Sequence, residues 1–238
     1  METLIENRVA SLNWTAISAE LTERGFALTA PLLSPEECAE LVALYPDGRN
    51  FRSHVVMERF RFGRGDYKYF RYPLPGMVQR LRASSYPHLA KIANVWRSAL
   101  SESSPGFPEA HHDFLTLCKH AKQQLPTPLM LRYENGGFNC LHQDLYGEIA
   151  FPLQLVIVLG QPERDWVGGE FVLVENIPRA QSRAQVIVVN QGQAIIFTTR
   201  YRPVKGARGY FRMAVRHGVS TVRSGVRHTL GIIYHDAK

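Results

Sequence analysis

The stretch "HGVSTVRSGVRHTLGII", His217 to Ile233, decides how the fold is read. Strand-like runs, "YFRMAVRH" and "VRHTLGIIY", lie on either side of "GVSTVRSGV", and Ser224-Gly225 is a turn signal between them. A hairpin centred on Val222 sets His217 and Arg227 face to face, each five residues from the centre. Thr229 shares their side because side chains alternate with period two. His228 then points to the outer face. His235 sits near the end of the sequence, where fraying disfavours a rigid ligand.

Outward from this hairpin, the pattern from Pro126 onward is one of short strands. "PLMLRYE", "FPLQLVIVLG", "GGEFVLVE", "AQVIVVN" and "AIIFTT" are rich in β-branched and aromatic residues. Turn signals separate them, among them Gly136-Gly137, Gly168-Gly169 and Asn190-Gln191-Gly192. Many strands without intervening helices favour an antiparallel sandwich or barrel. The first 125 residues read mainly as helix: Thr15–Arg24 stopped by Gly25, and "SPEECAELVALY" with a Ser34/Glu37 capping box and Pro35 in the first turn. Two helices are expected around Pro75–Ala83 and Pro87–Ser101, another around Glu109–Gln124, and a short strand in "FALTAPLL". The organisation expected is one domain over 1–238, with 1–125 a helical buttress carrying a basic-aromatic loop and 126–238 the β core.

The composition excludes several classes. No apolar run is long enough for a membrane span, and Glu2, Glu6 and Arg8 occupy the place of a signal peptide's apolar stretch. Three cysteines, Cys38, Cys118 and Cys140, without CxxC spacing argue against a disulfide framework or thiolate zinc site. A reducing, cytoplasmic setting is expected. The formal charge is +7, and eight basic residues (Arg200, Arg202, Lys205, Arg208, Arg212, Arg216, Arg223 and Arg227) follow Thr199 with no acidic residue between them. They form either a solvated surface or a field aimed at an anionic partner.

"RYENGGFNCLHQD" supplies His142 and Asp144. Two histidines and one carboxylate with open positions are what a non-haem Fe(II) site requires, and His217 is the downstream histidine placed to be the third ligand. Whether Gln143 and Tyr146 reach a substrate is left open by the sequence.

Together these segments resemble the Fe(II)/2-oxoglutarate-dependent dioxygenases. In that superfamily a distal histidine is followed about ten residues later by an arginine or lysine, as His217 is by Arg227 here. The resemblance covers roughly Pro126 to Tyr234. It implies an α+β fold with a mainly β core, a double-stranded β-helix (a jelly-roll or cupin-like barrel) buttressed by N-terminal helices. It implies Fe(II) on His142, Asp144 and His217, with 2-oxoglutarate and O2 as co-substrates. Substrate hydroxylation would then accompany release of succinate and CO2. Arg227 would hold the co-substrate's far carboxylate, since guanidinium pairs with it bidentately and stays charged, and Thr229 and Tyr133 would add hydroxyls. "DWVGGEFVLVE" also resembles the superfamily's barrel rim and is read as structural.

The substrate is less legible. "ERFRFGRGDYKYFRYPLP" interleaves five basic residues, diluted by Glu58 and Asp66, with six aromatics. The combination suits phosphates and stacked bases, or equally a half-buried hairpin with a solvated basic face. Gly63 and Gly65 are expected to let this segment move over a site. Arg61, Tyr67, Tyr69 and Arg208 are the candidate substrate contacts. "LRYENGGFNCLHQD" is similar to the strand pair of alkylated-base repair dioxygenases, and a bacterial branch resembling this chain acts on damaged DNA. The repair enzymes carry a second arginine near their end that "RHTLGIIYHDAK" lacks. The ten-residue His-to-Arg interval and "ALTAPLLSPEECAELV" look more like the prolyl 4-hydroxylase group, so a peptidyl-prolyl or other protein hydroxylase stands as the alternative. A non-catalytic β-barrel binding protein is the third reading.

Overall fold

A computed structural model describes residues 4–103, 105–144, 147–177 and 179–238; the first residues of the amino-terminal stretch, and Tyr146, lie outside these. In chain order the elements are α1 (Ile5–Ala10), α2 (Trp14–Arg24), β1 (Phe26–Leu28), α3 (Pro35–Leu44), β2 (Phe51–Val56), a 3-10 turn (Met57–Phe60), β3 (Gly63–Arg64) and β4 (Asp66–Phe70). Then come α4 (Gly76–Ala99), α5 (His111–His120), β5 (Leu129–Tyr133), β6 (Phe138–His142), β7 (Leu153–Val158), β8 (Trp166–Gly168) and β9 (Phe171–Asn176). The chain closes with β10 (Arg183–Ile187), β11 (Ala194–Thr198), β12 (Tyr201–Gly206), β13 (Gly209–Val219), β14 (Val222–Gly225) and β15 (Arg227–Ile232).

The helix ends follow local chemistry. Asn13 accepts from the Ala16 N–H to start α2, and Gly25, at φ 80, ends it by donating to the Leu21 carbonyl. Ser34 and Glu37 form the reciprocal capping box of α3, with Pro35 at its start. The two helices expected on either side of Pro87 are one: α4 runs through it. Proline costs a helix interior one hydrogen bond, but Leu81, Tyr86, Leu89, Ile92, Ala93 and Trp96 are all buried along α4. Burial of that face outweighs the break, as tertiary packing commonly does.

The strands form a seven-stranded sheet in the order β1-β11-β7-β15-β5-β4-β2 and a second sheet in the order β10-β9-β13-β6-β3, with β12 on β13. The ladders between these strands are antiparallel. This is the double-stranded β-helix with helices against its larger sheet. The alternation along β15 shows how the layers share one strand: Leu230 and Ile232 join the helix-side core with Leu155, Ile157 and Leu89. Arg227 and Thr229 face the cavity between the sheets.

Three expectations need correction. The first 125 residues supply β1 to β4, so they are barrel wall as well as buttress. His217 and Arg227 do not pair across a hairpin. β13 belongs to the smaller sheet and β15 to the larger, while β14 pairs separately with β8. The two side chains meet because both point inward from opposite walls. Nor does the end of the described chain fray. His235 is fully buried, and Arg82, itself fully buried, donates to the carbonyls of Ile233, Tyr234 and His235 and to Asp236. No helix is long and apolar enough to cross a membrane among the described residues.

Candidate active site

β6 ends on His142, and His142 and His217 are direct cross-strand partners, so sheet register alone brings the two imidazoles together. Asp144 lies just past the end of β6. The His142 Nε2 is 3.5 Å from Asp144 Oδ1, and the His217 Nε2 is 3.2 Å from Asp144 Oδ2. One ligand atom from each of the three residues lies within 4.8 Å of the others. His142 Nδ1 sits 2.7 Å from the Cys140 carbonyl. With Nδ1 donating there, the lone pair is on Nε2, which is the arrangement a ligating histidine needs. Phe171 stacks on the His217 ring and Phe197 tilts against it, fixing its plane.

Electrostatics keep the cluster in ligand form. Burial pushes the Asp144 carboxyl up, but His217 and His142 override it and hold it well below the usual carboxylate range. Burial lowers His217. It also acts to lower His142, yet the Asp144 carboxylate wins and raises that ring. A carboxylate anion between two imidazoles is an incipient cation site.

The cluster opens on a cavity of about 390 Å³ whose lining also includes Arg227, Thr229, Tyr133, Arg61, Tyr67 and Tyr69. Arg227 is 3 % exposed. Its guanidinium lies 5.6 Å from the Tyr133 ring centroid and 6.0 Å from that of Trp166. No carboxylate among the described residues lies within ion-pair distance of it. Burial lowers its pKa, with Tyr133 and Glu170 acting the other way. The Tyr133 side chain is fully buried, and burial pushes its hydroxyl pKa up. An unpaired buried cation is costly, and an anion entering this end of the cavity would offset that cost. Gly169 belongs to that construction: at φ 63, a Cβ there would stand 3.0 Å from Arg227 Cδ and 2.7 Å from Val222.

One contributor escaped sequence reasoning. Gln154, on β7 and 4 % exposed, donates to Asp144 Oδ2 at 2.6 Å and lies 3.3 Å from His217 Nε2. The signal was available: "FPLQLVIVLG" has a lone amide at an inward position among valines. Gln143 lines the cavity wall and donates to the carbonyls of Arg200 and Val215.

Among the other candidates, His228 points away from the cavity, on the outer face as expected, and is half-buried. It packs edge-on against Tyr45, and burial pulls its pKa down to about 4. Arg208 is exposed on the β12–β13 turn and does not line the cavity. The basic run around it is not one face. Arg202 is buried on Glu175, Arg212 pairs with Glu102, and Arg227 lies inside the barrel.

A double-stranded β-helix whose paired strands present two histidines and a carboxylate to one cavity defines a non-haem iron oxygenase. The chain belongs to the Oxygenase-NA family, described as "oxygenase, catalysing oxidative methylation of damaged DNA", which it matches over residues 65–237. It is 49% identical over 165 residues to the uncharacterized protein Rv2227 of Mycobacterium tuberculosis, covering 69% of this chain and 70% of that one. The fold is shared with a 2OG-Fe(II) oxygenase family oxidoreductase from Burkholderia pseudomallei at 19% identity and TM-score 0.56, covering 95% of this chain and 94% of the other. It is also shared with a Pseudomonas putida prolyl-4-hydroxylase at 12% identity and TM-score 0.55, covering 93% and 98%. The cofactor set implied is Fe(II), 2-oxoglutarate and O2. The donor set of two imidazoles and a carboxylate fits the metal, and the buried Arg227 guanidinium, which has no carboxylate partner among the described residues, fits the co-substrate's far carboxylate.

Proposed function

We propose that this Fe(II)/2-oxoglutarate oxygenase acts on alkylated or otherwise damaged nucleic acid, removing alkyl groups by oxidation. The observation that supports the chemistry is the buried, unpaired Arg227 in the same cavity as His142, Asp144 and His217. Those three residues would hold Fe(II), and Arg227, Tyr133 and Thr229 would hold 2-oxoglutarate. When bound, the metal and co-substrate supply the oxidant that converts a C–H bond to C–OH, with succinate and CO2 released.

The chain's own residues position and shield. Gln154 holds the Asp144 carboxylate. Leu131, Val156, Phe171 and Phe197 give the cavity apolar walls that exclude water. Hydroxylation of an N-methyl group then leads to loss of formaldehyde: the C–N bond breaks, the hydroxyl proton passes to nitrogen, and the unmodified base remains. The family description supports DNA as the substrate. So does the cavity lining, where Tyr67 and Tyr69 offer ring faces and Arg61 a cation. Arg208, away from the cavity, would touch only a strand extending beyond it.

The test is succinate and formaldehyde release in the presence of Fe(II) and 2-oxoglutarate. Methylated single-stranded DNA, methylated RNA and proline-containing peptides are compared. Methylated nucleic acid should release both products. Succinate release driven by peptides alone would identify a protein hydroxylase, and none with any substrate would leave a binding protein.

A further inference from the structure

We infer that the turn from Met57 to Arg64 is a nucleobase-stacking platform, which directs the enzyme to single-stranded or unstacked DNA. The inference rests on the nucleic-acid reading above and adds the surface that would carry it.

The observation is a pair of rings where a globular protein gains nothing from them. Phe60 is 57 % exposed and Phe62 48 % exposed, and they stack on each other with centroids 5.5 Å apart and planes 20° from parallel. Phe62 also lines the cavity that holds the His142, Asp144 and His217 cluster. Such aromatics without cover mark a binding surface.

The rings sit on a rigid support. Arg61, between them, adopts the left-handed conformation at φ 59. The Arg61 and Phe62 N–H groups donate to the Glu58 and Met57 carbonyls. The Phe62 carbonyl accepts from the Cys140 N–H at 2.8 Å, two residues before the ligand His142. Gly63 lets the turn press onto β6, because a Cβ there would stand 2.3 Å from the Phe138 carbonyl. Gly65 does the same against Arg132, whose carbonyl would be 2.8 Å away. These glycines permit close approach rather than the movement expected from the sequence. The platform is thus tied to the same strand as the metal ligand, and a base resting on it is held at a set place relative to the site.

Charge names the partner. Arg59, Arg61 and Arg64 are all exposed, and none has an ion-pair partner among the described residues. Cations flanking exposed ring faces match a single strand, whose bases stack while its phosphates pair. In an intact duplex the faces are occupied, and a base must leave the stack to reach a reacting centre.

The test uses the full chain and a short fluorescein-labelled oligonucleotide, single-stranded or annealed to its complement. A second oligonucleotide carries 2-aminopurine next to a methylated base, since stacking quenches its emission. Wild type should bind the single strand more tightly than the duplex and quench 2-aminopurine. Phe60→Ala and Phe62→Ala should each weaken single-strand binding about 5- to 150-fold, the ~1–3 kcal/mol of one base–aromatic stack, and abolish the quench. Phe62→Trp should preserve both, and unchanged melting curves will show that the variants fold. Arg59→Ala and Arg64→Ala should instead flatten the log-log salt slope by about 0.7 each. If wild type binds oligonucleotides but both alanine variants bind and quench like it, the platform is overturned and the nucleic-acid reading stands. If wild type binds no oligonucleotide but binds an acidic peptide of matching charge, both are overturned.

Discussion

At the scale of single residues, the site divides into groups that would touch the cofactors and one that holds another group in place. Arg227→Ala will weaken 2-oxoglutarate binding by roughly 2–5 kcal/mol, the usual cost of truncating a buried hydrogen-bonded charge pair. Metal binding will survive, because Arg227 lies on β15 while both histidines lie on the smaller sheet. Tyr133→Phe removes one hydrogen bond and will cost less, roughly 0.5–3 kcal/mol; calorimetric titration of the metal-loaded protein measures both. Gln154→Leu will act through Asp144. Losing the 2.6 Å bond to Oδ2 frees the carboxylate to rotate, and metal affinity should fall on the order of 10- to 100-fold, read directly from Mn(II) titration without turnover. Residue identities were also what the sequence conveyed best. His142, Asp144 and His217 were legible from residue type and spacing, and the structure gathers them within 4.8 Å. Gln154 was not singled out, because one glutamine in an apolar run carries no spacing signal.

At the scale of elements, the register of β6 against β13 decides which histidine serves the site. His217 faces His142 across this ladder. His228 pairs with Arg132 in the other sheet and turns toward Tyr45. Metal titration of His217→Ala should show near-complete loss of binding, whereas His228→Ala should bind metal as wild type does. The strands β5, β7, β9, β10, β11, β13 and β15 were legible because β-branched runs and turn residues agree along them, whereas β8, β12 and β14 are short or rich in Gly, Pro and Arg and were not read. The hairpin was misjudged for a physical reason. Two inward-facing strands on opposite walls obey the same period-two pattern as two strands paired edge to edge, and only the partner strands β8, β9 and β5 distinguish them. The strands β3 and β4 were legible only as one of two readings of Glu58–Pro75, a half-buried hairpin or a loop, because their arginines and glycines suit both until β5 and β6 are there to pair with them.

At the scale of the whole molecule, acid weakens the fold. Burial pulls His111 down to about 3, and His228 and His235 down to about 4, from 6.5. Their rings are neutral in the folded protein and take up protons on unfolding. The stability this confers is fully present above pH 6.5 and is lost as the pH falls toward 4. Thermal melts across that window will show a falling Tm, and unfolding near pH 5 will take up as many as three protons from these rings. Replacing His111 with Gln, which can still donate to the Tyr234 carbonyl, should remove one of them.

The order of the smaller sheet has a colloidal consequence. β10 is its outermost strand on one side. It carries Arg183 as its one charge; Val186 on it stands 66 % exposed, and Val188, just past its end, 58 %. Free backbone groups beside apolar side chains are a template on which a second copy can add as a further strand. Like-charge repulsion from the net +7 opposes such addition, but its reach shortens to about 10 Å in 0.1 M salt. Added salt will therefore raise light scattering at high protein concentration while leaving Tm where it was, an outcome governed by the strand edge and not by the stability of the fold.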